Sequence, residues 1–361
     1  MSIQGQSKTE ATYRAKMLDS SSSLKDFSFD RKKYFRKYIM NEEVEDKDTA
    51  ASVMGRIVEC LLLEPELFDK RFYMSACVSA PTGLGLKFVE ALYERTREAT
   101  DNNGEVTKSF EEISKLAYVD AGYKLPYEGI VNKFVGSNDE IYYNEIRVVR
   151  SNHMDVVTPK DITNAENIVE SLKTSFVTSE IVNLVNSTRY SVMNQFQVEG
   201  YSVEGHLFKS MMDKMIADHQ EKLLWIYDLK CVWAVEDFYR EYYLFRRAYI
   251  QGYLYWKAAI SLTLDPKSEY YGYTVMPPKF IVCDSINYFS PLIYEMSHDD
   301  LKDAFLGFEY KKTVYPGVKE IINNLKWALD NSIWNISKNN YLSGGILNIK
   351  GNDYDGKENS H

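Results

Sequence analysis

Cysteine is scarce in this chain. Four occur in 361 residues, at 60, 77, 231 and 283, with no Cys-x-x-Cys pair. That spacing argues against a disulfide framework and against a zinc or iron-sulphur cluster. Histidine is equally thin, and His153, His206, His219, His298 and His361 make no ligand pair at helical spacing, which disfavours a zinc hydrolase. No Gly-Lys-Ser or Gly-Lys-Thr occurs, and Gly129, Lys133, Gly136 and Lys160 form no phosphate cradle, so ATP-driven unwinding is not expected. No apolar run approaches the ~18 residues of a membrane span, the N-terminus is polar and no cleavable signal is visible. The expectation is a cytoplasmic protein with no membrane partner. No internal repeat is apparent. Basic residues are in the minority, 43 Lys and Arg against 52 Asp and Glu for a net charge of −9, so an overall basic footprint for nucleic acid is missing.

Apolar material is ample. At 45% hydrophobic and 14% aromatic residues, the chain can bury a substantial core. Periodicity suggests helices over 23–40, 49–63, 86–100, 161–186 and about 237–262. The Asn- and Gly-rich stretch 101–105 reads as a loop, and strands are expected at 279–284 and 292–296. Ser297-His298-Asp299-Asp300 reads as a helix cap, and a last helix is expected over 317–333. The implied organisation is a loose N-terminus over 1–19 and one α/β domain over 20–335, helical to about 190 and catalytic over 191–335. A flexible tail follows over 336–361.

Chemistry concentrates in residues 207–230, which read as two strands around a short polar turn. If the turn lies between Gln220 and Glu221, Asp218 pairs with Leu223 and Asp213 falls opposite Asp228. Like charges facing across a ladder are destabilising, so something positive is expected between them. Lys230, two residues beyond Asp228, shares its face. Asp218 lies five residues along from Asp213, about 17 Å at extended spacing, and reads as a turn residue. An Asp-x-Lys on a hairpin is more often a solvated strand face than a site. Here the run Leu223 to Tyr227 is almost continuously apolar and reads as a central strand, where charge is hard to dismiss as surface decoration. Asp213, Asp228 and the Leu229 carbonyl could hold a divalent cation, Mg²⁺ or Mn²⁺. Such an ion lowers the pKa of a bound water and neutralises charge on a scissile phosphate.

The hairpin ending in Ile-Tyr-Asp-Leu-Lys at 226–230 resembles the core of the PD-(D/E)XK nuclease superfamily. The flanking pieces resemble more narrowly the RecE-type and RecB-like phage exonucleases. Ser20 to Phe27 is similar to that family's N-terminal Ser-Ser-Ser-x-Leu-x-x-Phe helix entry. Gly55 to Pro65 is similar to its Gly-x-x-x-His-x-Leu-Leu-Leu-x-Pro helix, and Gln251 to Tyr255 matches its Gln-x-x-x-Tyr helix. The match runs in order over about 20–335 and is weakest in 75–200. It departs at Glu59, where many members carry histidine. From spacing alone Glu59 is an exposed helix carboxylate; the resemblance implies a third metal ligand or a residue that orients metal-bound water. The absence of clustered cysteines sets the chain apart from the CRISPR-associated relatives.

Arg247, Gln251 and Tyr255, four apart, make one helical stripe. By the resemblance, Gln251 and Tyr255 join Asp213, Asp228, Lys230 and Glu59 as site residues, although the aromatic setting also suits Tyr255 as core. Two basic clusters could neutralise phosphates locally: Arg31, Lys32, Lys33, Arg36 and Lys37, and Arg246 with Arg247. A solvated helix face is the plainer reading of the first. The resemblance implies a Mg²⁺-dependent exonuclease degrading linear double-stranded DNA from its ends, 5'-to-3', in phage-type recombination. It also implies a single-strand annealing protein as partner and a homo-oligomeric ring around DNA. The alternatives are an inert nuclease-fold DNA-binding protein and a restriction- or repair-type endonuclease.

Overall fold

The computed structural model describes Tyr13 and residues 16–42, 50–288 and 290–346. Most of the segment read as a loose N-terminus, position 49, the Gly351-Asn352-Asp353 stretch and His361 lie outside the described residues. Contacts divide the chain into two compact units, Met1–Leu63 with Asn167–His361, and Glu64–Glu166, where the sequence suggests one domain.

The first unit opens with α1 (Ser21–Phe29), which Ser20 and Ser23 cap reciprocally and which buries Leu24 and Phe27. Asp30, extended at φ −148°, ends it, and its carboxylate accepts from the amides of Lys32 and Lys33 to start a new turn, Arg31–Tyr34. A wider turn, Phe35–Ile39, follows. The single helix expected over 23–40 is therefore three pieces, because the short Asp30 side chain competes for backbone donors. Next, α2 (Ala50–Leu63) sets Ile57 and Val58 fully inside.

The second unit holds β1 (Phe72–Met74), α3 (Gly83–Glu98), α4 (Phe110–Ala121), α5 (Tyr127–Phe134), α6 (Asn138–Asn152) and β2 (Asp155–Val157). β1 and β2 pair in parallel, and the helices close around Phe88, Leu92, Ile113, Phe134 and Tyr143. The unit boundary falls within α7 (Pro159–Thr174). The helix expected over 161–186 stops there and resumes only for Ser179–Val182.

The remaining strands form a mixed sheet: β3 (Tyr190–Val203), β4 (His206–Asp218), β5 (Leu223–Val232), β6 (Thr274–Val275), β7 (Lys279–Asp284) and β8 (Leu292–Glu295). Its order is β3-β4-β5-β7-β8, with β6 added beside β5, and β5 runs parallel to β6 and β7 while the other pairs are antiparallel. Between β5 and β6, α8 (Ala248–Leu264) packs on one face of the sheet, with Tyr249, Leu254 and Ala258 buried. α2 packs on the other: Gly55 lies against Cys231, where an added Cβ would stand 3.7 Å from the Cys231 Cβ. α9 (His298–Leu306), capped by Ser297, a small hairpin of β9 (Gly307–Tyr310) and β10 (Thr313–Pro316), and α10 (Val318–Asn331) complete the core. A short α11 (Lys338–Leu342) occupies part of the stretch read as tail.

The helix expected over 237–262 is broken. A wide-turn segment, Tyr239–Phe245, ends at Arg246, and α8 begins after Arg247, whose φ of 55° is left-handed. Arg247 thus leaves the stripe shared by Gln251 and Tyr255.

Candidate active site

β4 and β5 pair in the register suggested by the sequence, from Asp218 with Leu223 to Lys214 with Tyr227. There the ladder stops, one pair short of Asp213 and Asp228. β5 continues beside β7 instead, Tyr227–Val232 against Lys279–Asp284. Where the strands part, the Asp213 carboxylate takes the place of a backbone acceptor, and its Oδ2 accepts from the Leu229 amide at 2.7 Å. A strand residue points its N–H and C=O to the same side, so the Leu229 carbonyl faces this gap too.

Asp228, 1% exposed, is held from two sides. Its Oδ1 accepts from Gln251 Nε2 at 2.7 Å, and its Oδ2 lies 2.5 Å from Lys230 Nζ. Gln251 Nε2 also donates to the Tyr255 hydroxyl oxygen at 2.8 Å. One amide therefore ties the phenol and the carboxylate to α8. On the other flank, Gln195 of β3 sits opposite Asp213, between the pairs Asn194–Lys214 and Phe196–Met212. Its φ of 48° turns it out of the ladder. Its Nε2 donates to Glu59 Oε1 at 2.5 Å, while its Oε1 is buried without a hydrogen bond.

The electrostatics follow from this crowding. Burial, then Asp228 and Glu59, push the Asp213 carboxyl well above the usual range, against the pull of Lys230 and the Leu229 amide. Burial alone would lower Lys230, but Asp228 and Asp213 outweigh it and raise its pKa, so the side chain stays an ammonium. Tyr255 is pushed well up by burial and by the same two aspartates and stays a neutral phenol. Lys25 of α1 is lowered to about 8, first by burial and then by Lys230. Among the described residues no three His, Cys, Asp or Glu side chains are grouped to hold one metal ion. Asp213 and Asp228 act on each other electrostatically, and Glu59 stands beside them through Gln195.

A groove of about 1510 Å³ reaches this site. Gln251 and Tyr255 line it with Lys25, Lys33, Lys37 and Arg246. The basic run from Arg31 to Lys37 divides. Lys33 and Lys37 line the groove while pairing with Asp26 at 2.9 and 3.5 Å, Arg36 pairs with Glu42 at 2.6 Å, Arg31 lies over the Phe27 ring, and Lys32 is exposed. Arg246 is exposed over Tyr242. Arg247 is different, being 4% exposed, stacked on Phe29 and donating to Ser28 Oγ at 2.6 Å. It braces α8 against α1 rather than presenting charge to a phosphate.

Two residues escaped sequence reasoning. Gln195 gave no signal, because a left-handed residue inside a strand is set by tertiary contacts. Lys25 lies at an unspecified position of the α1 pattern, and only the docking of α1 brings it near Lys230 and Asp228.

No protein-family model matches the chain, and no curated protein does. Among solved structures, one described as a putative exonuclease from Eubacterium rectale is similar with a TM-score of 0.46 and 14% identity. The likeness covers 95% of this chain and 89% of that one, and is too distant to fix the fold.

Proposed function

We propose that this chain is a metal-dependent phosphodiester hydrolase of the PD-(D/E)XK type that digests linear double-stranded DNA from its ends. The observation that supports it best is the convergence of Asp213, Asp228 and Lys230 where β4 and β5 part, with Gln251 fixing one carboxylate.

The residues fit a hard divalent cation. Of the two buried carboxylates, Asp213 is pushed towards protonation by burial and by its acidic neighbours, and Asp228 is paired with Lys230. The buried Gln195 Oε1, without a hydrogen bond, is a further hard oxygen in the same cluster. Asp213, Asp228 and the Leu229 carbonyl would hold Mg²⁺ or Mn²⁺, and two carboxylates with water and substrate oxygens suffice for Mg²⁺. When bound, the ion would supply Lewis acidity towards the phosphate and a more acidic water. The chain's own groups do the rest. Lys230, an ammonium beside the two aspartates, positions the attacking water and stabilises charge developing on the phosphate. Gln251 keeps Asp228 in one orientation, and Tyr255, kept neutral, offers a hydroxyl rather than a competing anion. Glu59 acts through Gln195. The groove cations Lys25, Lys33, Lys37 and Arg246 receive the backbone of the entering DNA.

From the family resemblance we take the finer reading: 5'-to-3' polarity, single strands passed to an annealing partner, and a ring of copies around DNA. The test is to incubate the protein with linear and covalently closed duplex DNA, with Mg²⁺ or with chelator. Mg²⁺-dependent release of nucleotides from the linear form alone is expected. Equal attack on closed circles would overturn the end-directed reading, and no release with any divalent metal would overturn hydrolysis.

A further inference from the structure

The neighbourhood of Lys230 contains a second chemistry that the hydrolytic reading does not use. In the parallel pairing of β5 with β7, Cys231 is the direct partner of Cys283. Directly paired residues in a sheet point their side chains to the same face. The Cys283 thiol donates to the carbonyl of Lys230, the residue just before Cys231, at 3.6 Å. No disulfide links the two cysteines, Cys283 is buried, and Cys231 is partly open. Neighbouring strands lie about 4.7–4.9 Å apart, inside the roughly 4.4–6.8 Å between Cα atoms that a disulfide spans. A cross-link needs no large backbone movement.

We propose that Cys231 and Cys283 form an oxidation-sensitive dithiol that closes to a disulfide under hydrogen peroxide. The more accessible Cys231 sulfur attacks the peroxide, the O–O bond breaks, and a sulfenic acid and one water form. The Cys283 sulfur then attacks the Cys231 sulfur; the S–O bond breaks, the S–S bond forms, and a second water leaves with the remaining thiol proton. Two thiols are oxidised by two electrons and one peroxide is reduced to two waters.

The consequence reaches the site through the chain itself. Cys231 follows Lys230 directly, and Gly55 of α2, the helix that carries Glu59, lies against its Cβ. Cys283 is the directly paired residue on the neighbouring strand, so the intramolecular disulfide is favoured over a mixed one. Closure ties β5 to β7 just after Lys230. Any change in hydrolysis rests on the function proposed above, but the cross-link does not.

The test treats the full-length protein with hydrogen peroxide, blocks remaining thiols after denaturation, and maps peptides with and without dithiothreitol. The expected result is a reductant-sensitive link between the peptides carrying Cys231 and Cys283, and a fall from four titratable thiols to two. In Cys283→Ser the Cys231 peptide should instead carry a sulfenic acid that dimedone traps, and Cys231→Ser should show no link. Unlinked Cys231 and Cys283 peptides, at peroxide tenfold above the level that oxidises half of Cys77, would overturn the proposal. A link from either cysteine to Cys60 or Cys77 in its place would also overturn it. None of these readouts depends on nuclease activity.

Discussion

Asp213 and Asp218 lie on one strand, both are buried, and their electrostatics run in opposite directions. At the closed end of the hairpin, Asp218 Oδ2 accepts from Arg189 at 2.7 Å, and its Oδ1 accepts from the amides of Gln220 and Glu221. These hydrogen-bond partners all donate, and the Arg189 hydrogen bond leads in holding its carboxyl below the usual range against burial. At the open end, Asp213 has one amide and the Lys230 ammonium against burial, Asp228 and Glu59, and its carboxyl is pushed up. A satisfied carboxylate builds a turn, whereas a crowded one stores an unmet demand for positive charge. That contrast singles out Asp213 rather than Asp218 as the candidate site residue in a stretch where composition cannot.

Four outcomes sharpen or break the contrast, from the largest effect to the smallest. Asp228→Ala and Lys230→Ala should each lower metal-dependent nucleotide release by about 10²–10³-fold or more, read as initial rates on linear duplex DNA. Asp213→Asn should be as inactive yet more thermally stable, because the amide keeps an acceptor for Leu229 while removing a disfavoured charge; Mg²⁺ should raise the melting temperature of the parent protein and not of this variant. Gln251→Leu should lose about 10–100-fold, since it removes the donor that orients Asp228, with affinity for DNA nearly unchanged. Lys25→Met should leave hydrolysis at neutral pH within a few fold. It should, however, flatten the loss of DNA affinity expected in the parent as pH rises through about 8, where Lys25 gives up its charge.

Asp218 supplies a pH prediction of its own. Its folded-state pKa is depressed, so its contribution is fully present above the unfolded value of about 3.9 and is lost as pH falls through the lower folded value. Asp218→Asn should therefore lower stability at pH 7 and lessen the steepness of acid unfolding, as followed by circular dichroism.

Much of the candidate site was legible in the sequence because a short four-residue turn, 219–222, fixes register by counting: Asp218 with Leu223 propagates to Asp213 opposite Asp228. Counting could not reveal that the ladder ends there. β5 runs on past that point paired with β7 at its other edge, while β4 no longer pairs with it, an outcome of tertiary contacts rather than of the turn. β3 was missed for a local reason. Gln195 at φ 48° and a bulge between Glu199 and Tyr201 each disturb the alternation, so a 14-residue strand shows no sustained period of two. The helices α4 to α6 carried readable signals, such as the Ser109–Glu112 capping box, in a region where the resemblance was weakest. Arg247 misled because three side chains spaced by four look like one stripe until a left-handed residue breaks the helix.

The most direct test sets the two aspartates against each other. Initial rates of Mg²⁺-dependent nucleotide release from end-labelled linear duplex DNA should be within about twofold of the parent for Asp218→Asn and undetectable for Asp213→Asn, with both proteins folded at the assay temperature. Undiminished release by Asp213→Asn, or a loss confined to Asp218→Asn, would contradict the assignment of the site.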